Sequence, residues 1–173
     1  MEANLLISYD PTHAGKAQAE IEAVFSDVGE KPEFLKSDIE GLFLMKTKSD
    51  PKELVKKASE ICKKDSSKFE CTFHWVPIDK WVKSSVSDMQ KVMKDINNKL
   101  NPEESWKLDL NKRQYEGKTT DLIMQLTENI DKPKVDLSNP QKIVKVEIIG
   151  KKAGISLLDP SEILDAPRIK AGK

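Results

Sequence analysis

The sequence predicts an α+β protein of two small domains. Three observations carry this: apolar residues switch repeatedly between alternating and three-to-four spacing, turn residues punctuate each switch, and a complete β-α-β-β-α-β pattern ends before a joint at Pro77–Lys80. Residues 1–76 hold 11 Lys+Arg against 14 Asp+Glu, net −3, and residues 77–173 hold 18 against 15, net +3, so any nucleic-acid surface is expected mainly in the second half. A chain of 173 residues with recurring apolar segments can bury two cores, even with 34% charged residues. No apolar run is long enough to cross a bilayer and the chain begins almost at once with a strand, so a cytoplasmic location is expected.

Asn4–Tyr9 is a β-rich run stopped by Asp10-Pro11, since proline cannot donate to a ladder. Ala17, Ile21, Val24, Phe25 and Val28 fall at helical spacing and end at Gly29. Phe34-Leu35 and Leu42–Met45 read as two strands of a hairpin. Asp50-Pro51 supplies a cap and a first-turn proline to a second helix, whose stripe is Leu54, Val55, Ala58, Ile61 and Cys62. A strand over Phe69–Val76 completes the order β-α-β-β-α-β over residues 1–76, a ferredoxin-like pattern.

Pro77–Lys80 reads as a joint, with Trp81 and Val82 packing against something nearby. A helix follows over Val86–Leu100, apolar at Val86, Met89, Met93, Ile96 and Leu100. Trp106–Asn111 alternates as a half-buried strand and runs into Lys112-Arg113-Gln114-Tyr115. A helix over Asp121–Ile130 comes next. Val135–Leu158 then contains a short strand-like start at Val135 and Leu137, a turn at Asn139-Pro140 and a β-branched strand Ile143–Ile149. A glycine-bracketed basic loop Gly150-Lys151-Lys152-Ala153-Gly154 leads to a last strand Ile155–Leu158. The tail from Asp159, with Pro160 and Pro167, is expected to be irregular or frayed.

In this stretch Asp136 and Leu137 precede Asn139-Pro140, Val146-Glu147 lies in the strand that follows, and Gly154-Ile155-Ser156 opens the last strand. This pattern resembles the C-terminal signature of the THUMP domain, an RNA-binding module of tRNA-modifying proteins, and in particular of stand-alone members that assist a tRNA cytidine acetyltransferase. The resemblance extends back to about Trp75. It implies a THUMP-like domain over residues 77–166 after the ferredoxin-like domain, with residues 167–173 as a tail.

Two patches suit a polyanion. The first is Lys112-Arg113, which corresponds by resemblance to a basic pair facing RNA. Arginine occurs only at 113 and 168 beside 27 lysines, and its planar fork matches phosphate; the competing reading is a surface pair bridging Asp109 or Glu116. The second is Lys151-Lys152 with Gly154, either a phosphate cradle or a charged hairpin turn. Lys142 and Lys145 read as weaker, solvent-facing edge charges. Tyr115 is the one aromatic placed to stack on a base, whereas Trp75, Trp81 and Trp106 sit in packing contexts.

Cys62 and Cys71 lack metal or disulfide-framework spacing and read as reduced, buried thiols. His13 and His74 show no ligand or relay spacing. The Asn-Pro of residues 139–140 resembles the start of an amino-methyltransferase motif, but Gln141 and Lys142 replace its second proline and aromatic. No nucleotide, phosphate-loop or coenzyme A turn is present in these 173 residues.

With no catalytic residue, metal site or cofactor expected, the resemblance implies a non-enzymatic adaptor. It would bind tRNA at the acceptor end and CCA tail and present it to an acetyltransferase partner for N4-acetylcytidine formation. The alternatives are the RNA-binding part of a thiouridine synthase or methyltransferase with its catalytic domain on another chain, and a protein-interaction module that does not bind RNA.

Overall fold

The computed structural model describes residues 2–172, which divide into two compact units. One is formed by Glu2–Ile78 together with the segment from Ser161 onward, the other by Asp79–Pro160.

The first unit contains β1 (Leu5–Tyr9), α1 (Ala14–Asp27), β2 (Glu33–Leu35), β3 (Leu42–Lys46), α2 (Pro51–Lys64) and β4 (Thr72–Pro77). The strands form an antiparallel sheet in the order β2-β3-β1-β4, extended at one edge by β9 (Leu164–Asp165). Asp50 caps α2 by accepting from Lys52 N at 2.9 Å, with Pro51 in the first turn as anticipated. Leu5, Ile7, Met45 and Trp75 from the sheet bury against Ile21, Val24 and Phe25 of α1 and Val55, Ala58 and Cys62 of α2. Two expectations are corrected here. Phe69 does not begin a strand but ends a 3-10 turn, Ser66–Phe69, that inserts its ring into this core. The tail is not frayed: Trp75 and His74 pair with Leu164 and Asp165, and the short helix α5 (Ala166–Lys170) follows with Ala166 in the core. Apolar Leu164 and Ala166 find an open sheet edge, a partner that local sequence does not reveal.

The second unit contains β5 (Lys80–Lys83), α3 (Val86–Lys99), β6 (Trp106–Arg113), α4 (Thr119–Thr127), β7 (Lys142–Ile149) and β8 (Lys152–Leu158). Its sheet runs β5-β8-β7-β6, with β6 and β7 parallel around α4 and the other pairings antiparallel. Ser85 caps α3 by accepting from Asp88 N. Met89, Val92, Met93 and Ile96 of α3 and Leu122 and Leu126 of α4 cover Leu110, Val144, Val146, Ile148, Ala153 and Ile155 of the sheet. Trp106 is buried at the start of β6, its indole N–H donating to Lys132 O at 3.0 Å.

The two units meet in sequence between Ile78 and Asp79, inside the segment Pro77–Lys80 expected as a joint, and its last residue, Lys80, opens the edge strand β5 with Trp81, Val82 and Lys83. The strand-like start at Val135 is reduced to a single parallel bridge to Trp106, and Val135 and Leu137 stand 57% and 73% exposed. Asp136 ties that segment instead: its Oδ1 accepts from Ser138 N and Asn139 N, both at 3.0 Å. Those two backbone donors hold its carboxyl below the usual carboxylate range.

Candidate nucleic-acid interface

Strand polarity in the second unit places the carboxyl ends of β5, β6 and β7 together, because β7 is parallel to β6 and is related to β5 through two antiparallel pairings. At that end one row crosses the whole sheet. Lys83 lies opposite Lys152, Lys152 opposite Ile149, and Ile149 opposite Arg113. Directly opposed residues project from the same face, so Lys83, Lys152 and Arg113 share it. Two lysines opposed across neighbouring strands repel, and an anion would relieve that repulsion.

The turn beside this row is fastened on both sides. Gly150 N donates to Arg113 O at 2.8 Å, Ser84 Oγ donates to Gly150 O at 2.8 Å, and Ser84 N donates to Lys151 O at 3.0 Å. Gly150 takes a positive φ of 55°, which a tight two-residue hairpin turn needs and glycine adopts without strain. Gln114, next to it, is the one non-glycine residue with positive φ among the described residues, at 54°. Exposed Lys151 therefore sits at a fixed place next to Arg113.

Both long helices of the unit begin at this end. α3 starts after Lys83-Ser84-Ser85, and α4 starts after Lys118, which occupies the cap position without a side-chain cap bond. Lys112 reaches the same loop, its ammonium donating to Gly117 O. The first turns of α3 and α4 carry Asp88 and Asp121, which complement the partial positive charge of the helix N-termini, so the positive field at this end comes from Lys83, Lys112, Lys118, Lys151 and Lys152.

On the face that carries the row, alternating charges of β6 and β7 form a bonded chain. Lys145 Nζ donates to Asp109 Oδ2 at 2.9 Å and lies 3.3 Å from Glu147 Oε1. Asn111 Nδ2 donates to Glu147 Oε1 at 3.2 Å, and Arg113 Nη1 donates to Glu147 Oε2 at 2.9 Å. The partner of Arg113 is thus Glu147, neither Asp109 nor Glu116.

Of the residues singled out in the sequence, Lys112, Arg113, Lys151 and Lys152 converge at this end, and Tyr115 lies in the adjoining loop, half-buried against the core and over Gly117. Lys142 does not join them: it opens β7 at the far end and pairs with Asp159 and Glu104. Gly154 is no part of the turn. It is buried in mid-β8, in register with Trp81 and Glu147. The glycine-bracketed loop shrinks to Gly150-Lys151 because Lys152 and Ala153 already pair with Ile149 and Ile148. Lys145 is not an edge charge, since β7 is an inner strand and the residue is buried. Sequence reasoning missed Lys83 and Lys118. Their signal was position, Lys83 standing three residues before the start of α3 and Lys118 one residue before the start of α4.

Among the described residues no helix is long and apolar enough to cross a membrane, and no group of three or more His, Cys, Asp or Glu is arranged to hold a metal ion.

Residues 83–158, which contain this end of the sheet, match the THUMP domain. No curated protein matches the chain. Solved structures share its fold. PH1313 from Pyrococcus horikoshii Ot3 is 14% identical with a TM-score of 0.60, covering 91% of this chain and 55% of its own. TrmN from Thermus thermophilus is 15% identical with a TM-score of 0.55, covering 88% and 44%. A possible methylase from Clostridium difficile 630 is 14% identical with a TM-score of 0.54, covering 89% and 40%. The chain therefore spans about half the length of these structures or less. That overturns the expectation of a non-catalytic adaptor and of a protein without enzymatic activity. The shared fold occurs within longer chains that include a possible methylase, so lack of a catalytic motif over this span carries no weight against catalysis.

Proposed function

We propose that this chain, through the segment that matches the THUMP domain, is the RNA-recognising part of a tRNA-modifying enzyme, holding tRNA at the basic end of the β5-β8-β7-β6 sheet. The observation that carries the reading is the convergence of Lys83, Lys112, Arg113, Lys118, Lys151 and Lys152 at one end of the matched segment. Such an end contacts phosphates, which fix position and orientation without reading bases. A tRNA is then selected by shape, and the acceptor end with its single-stranded CCA tail offers both backbone and unpaired bases, for which Tyr115 is the stacking candidate. In the other unit, the strand order β2-β3-β1-β4 beside two helices supports a ferredoxin-like reading.

The reaction class that the solved structures favour is methyl transfer, with the catalytic domain supplied outside these residues. Assemblies captured from native cells through this chain and incubated with tRNA and labelled S-adenosylmethionine should transfer label to tRNA. Thiolated tRNA without methyl label would move the assignment to a thiouridine synthase, and recovery of neither activity would contradict the reading.

A further inference from the structure

Arg113 is the one arginine of the second unit, and the structure does not leave it free to search for a ligand. Its side chain is 28% exposed and ends on the Glu147 carboxylate, whose side chain is 4% exposed. Glu147 is itself held from two other directions, by Asn111 Nδ2 on β6 and by Lys145 Nζ on its own strand, and Lys145 is held in turn by Asp109. Two carboxylates and two cations make this chain of contacts neutral as a whole. It adds nothing to the net attraction for a polyanion. What it adds is direction, because a guanidinium is planar and its donors lie in a fixed fork; one bond from Nη1 to an immobile carboxylate sets the plane of the others.

We propose that Glu147 is a positioning residue for RNA binding: it locks the Arg113 guanidinium so that its remaining donors meet a phosphate, while the lysines around it supply attraction without direction. The proposal rests on the RNA-binding reading above, and its distinguishing feature is the sign of one effect. Replacing Glu147 by Gln removes a negative charge from the neighbourhood of the basic end. If charge alone governed binding, tRNA would bind more tightly. If Glu147 orients Arg113, tRNA binds more weakly although the protein has become more positive.

The test measures the affinity of the full chain for unfractionated deacylated tRNA at low and moderate salt, with circular dichroism confirming that each variant is folded. Glu147→Gln should weaken binding roughly tenfold, the value of one charge-assisted hydrogen bond lost, and the same substitution in an Arg113→Ala background should not weaken it further. Arg113→Lys, which keeps the charge but not the fork, should lose as much as Arg113→Ala. It decides the matter if Glu147→Gln does not fold. Salt-dependent wild-type binding that Glu147→Gln leaves equal or tighter, or that Arg113→Lys retains in full, overturns the positioning role alone. Absence of wild-type binding overturns it together with the RNA-binding reading.

Discussion

Lys145 shows what a buried charge asks of its neighbours. An ammonium out of water is tolerated only when carboxylates replace its hydration, and Asp109 at 2.9 Å and Glu147 at 3.3 Å do so. Removing it strands Glu147 among buried groups, so Lys145→Ala should lower stability by about 3 kcal/mol in a denaturant titration. Lys151→Ala, on an exposed turn, should stay within about 0.5 kcal/mol of the wild type. Equal small effects would mean that the buried network contributes nothing. This residue was also where the sequence misled. Alternation along Ile143–Ile149 correctly separates Val144, Val146 and Ile148 from Lys145 and Glu147, but a period of two reports which residues share a face, not whether that face meets solvent. Arg113 was legible as a candidate for the opposite reason, because one of only two arginines, at a strand exit among so many lysines, is a compositional signal. Its partner was not, since a contact between residues 34 positions apart is set by the register of β6 on β7.

Among the elements, those with strong local signals were read correctly: α2 from Asp50-Pro51 and its stripe, α3 from its stripe, and β7 from its β-branched run. The failures are short or depend on distant partners. Lys80–Lys83 has four residues flanked by charges and becomes a strand only because β8 offers it an edge. Leu164-Asp165 is a two-residue strand that exists through its pairing with His74 and Trp75. Its contribution is testable: Leu164 is buried in the core of the first unit, so Leu164→Ala should destabilise by about 3 kcal/mol. A thermal midpoint unchanged from the wild type would restore the frayed tail expected from Pro160 and Pro167.

For the molecule as a whole, the split of charge between halves points to the second half, yet the basic end exists only after folding. Lys83, Lys118 and Lys151-Lys152 are scattered over 70 positions and meet because β5, β6 and β7 all finish at one end. The most direct measurement is tRNA affinity as a function of salt for the wild type and for Arg113→Ala/Lys152→Ala. Binding to tRNA should be salt-sensitive, and the variant should bind all tRNAs more weakly alike, with a salt slope about one unit shallower per phosphate contact removed. Tight binding with an unchanged slope would place the RNA elsewhere on the chain and contradict the account.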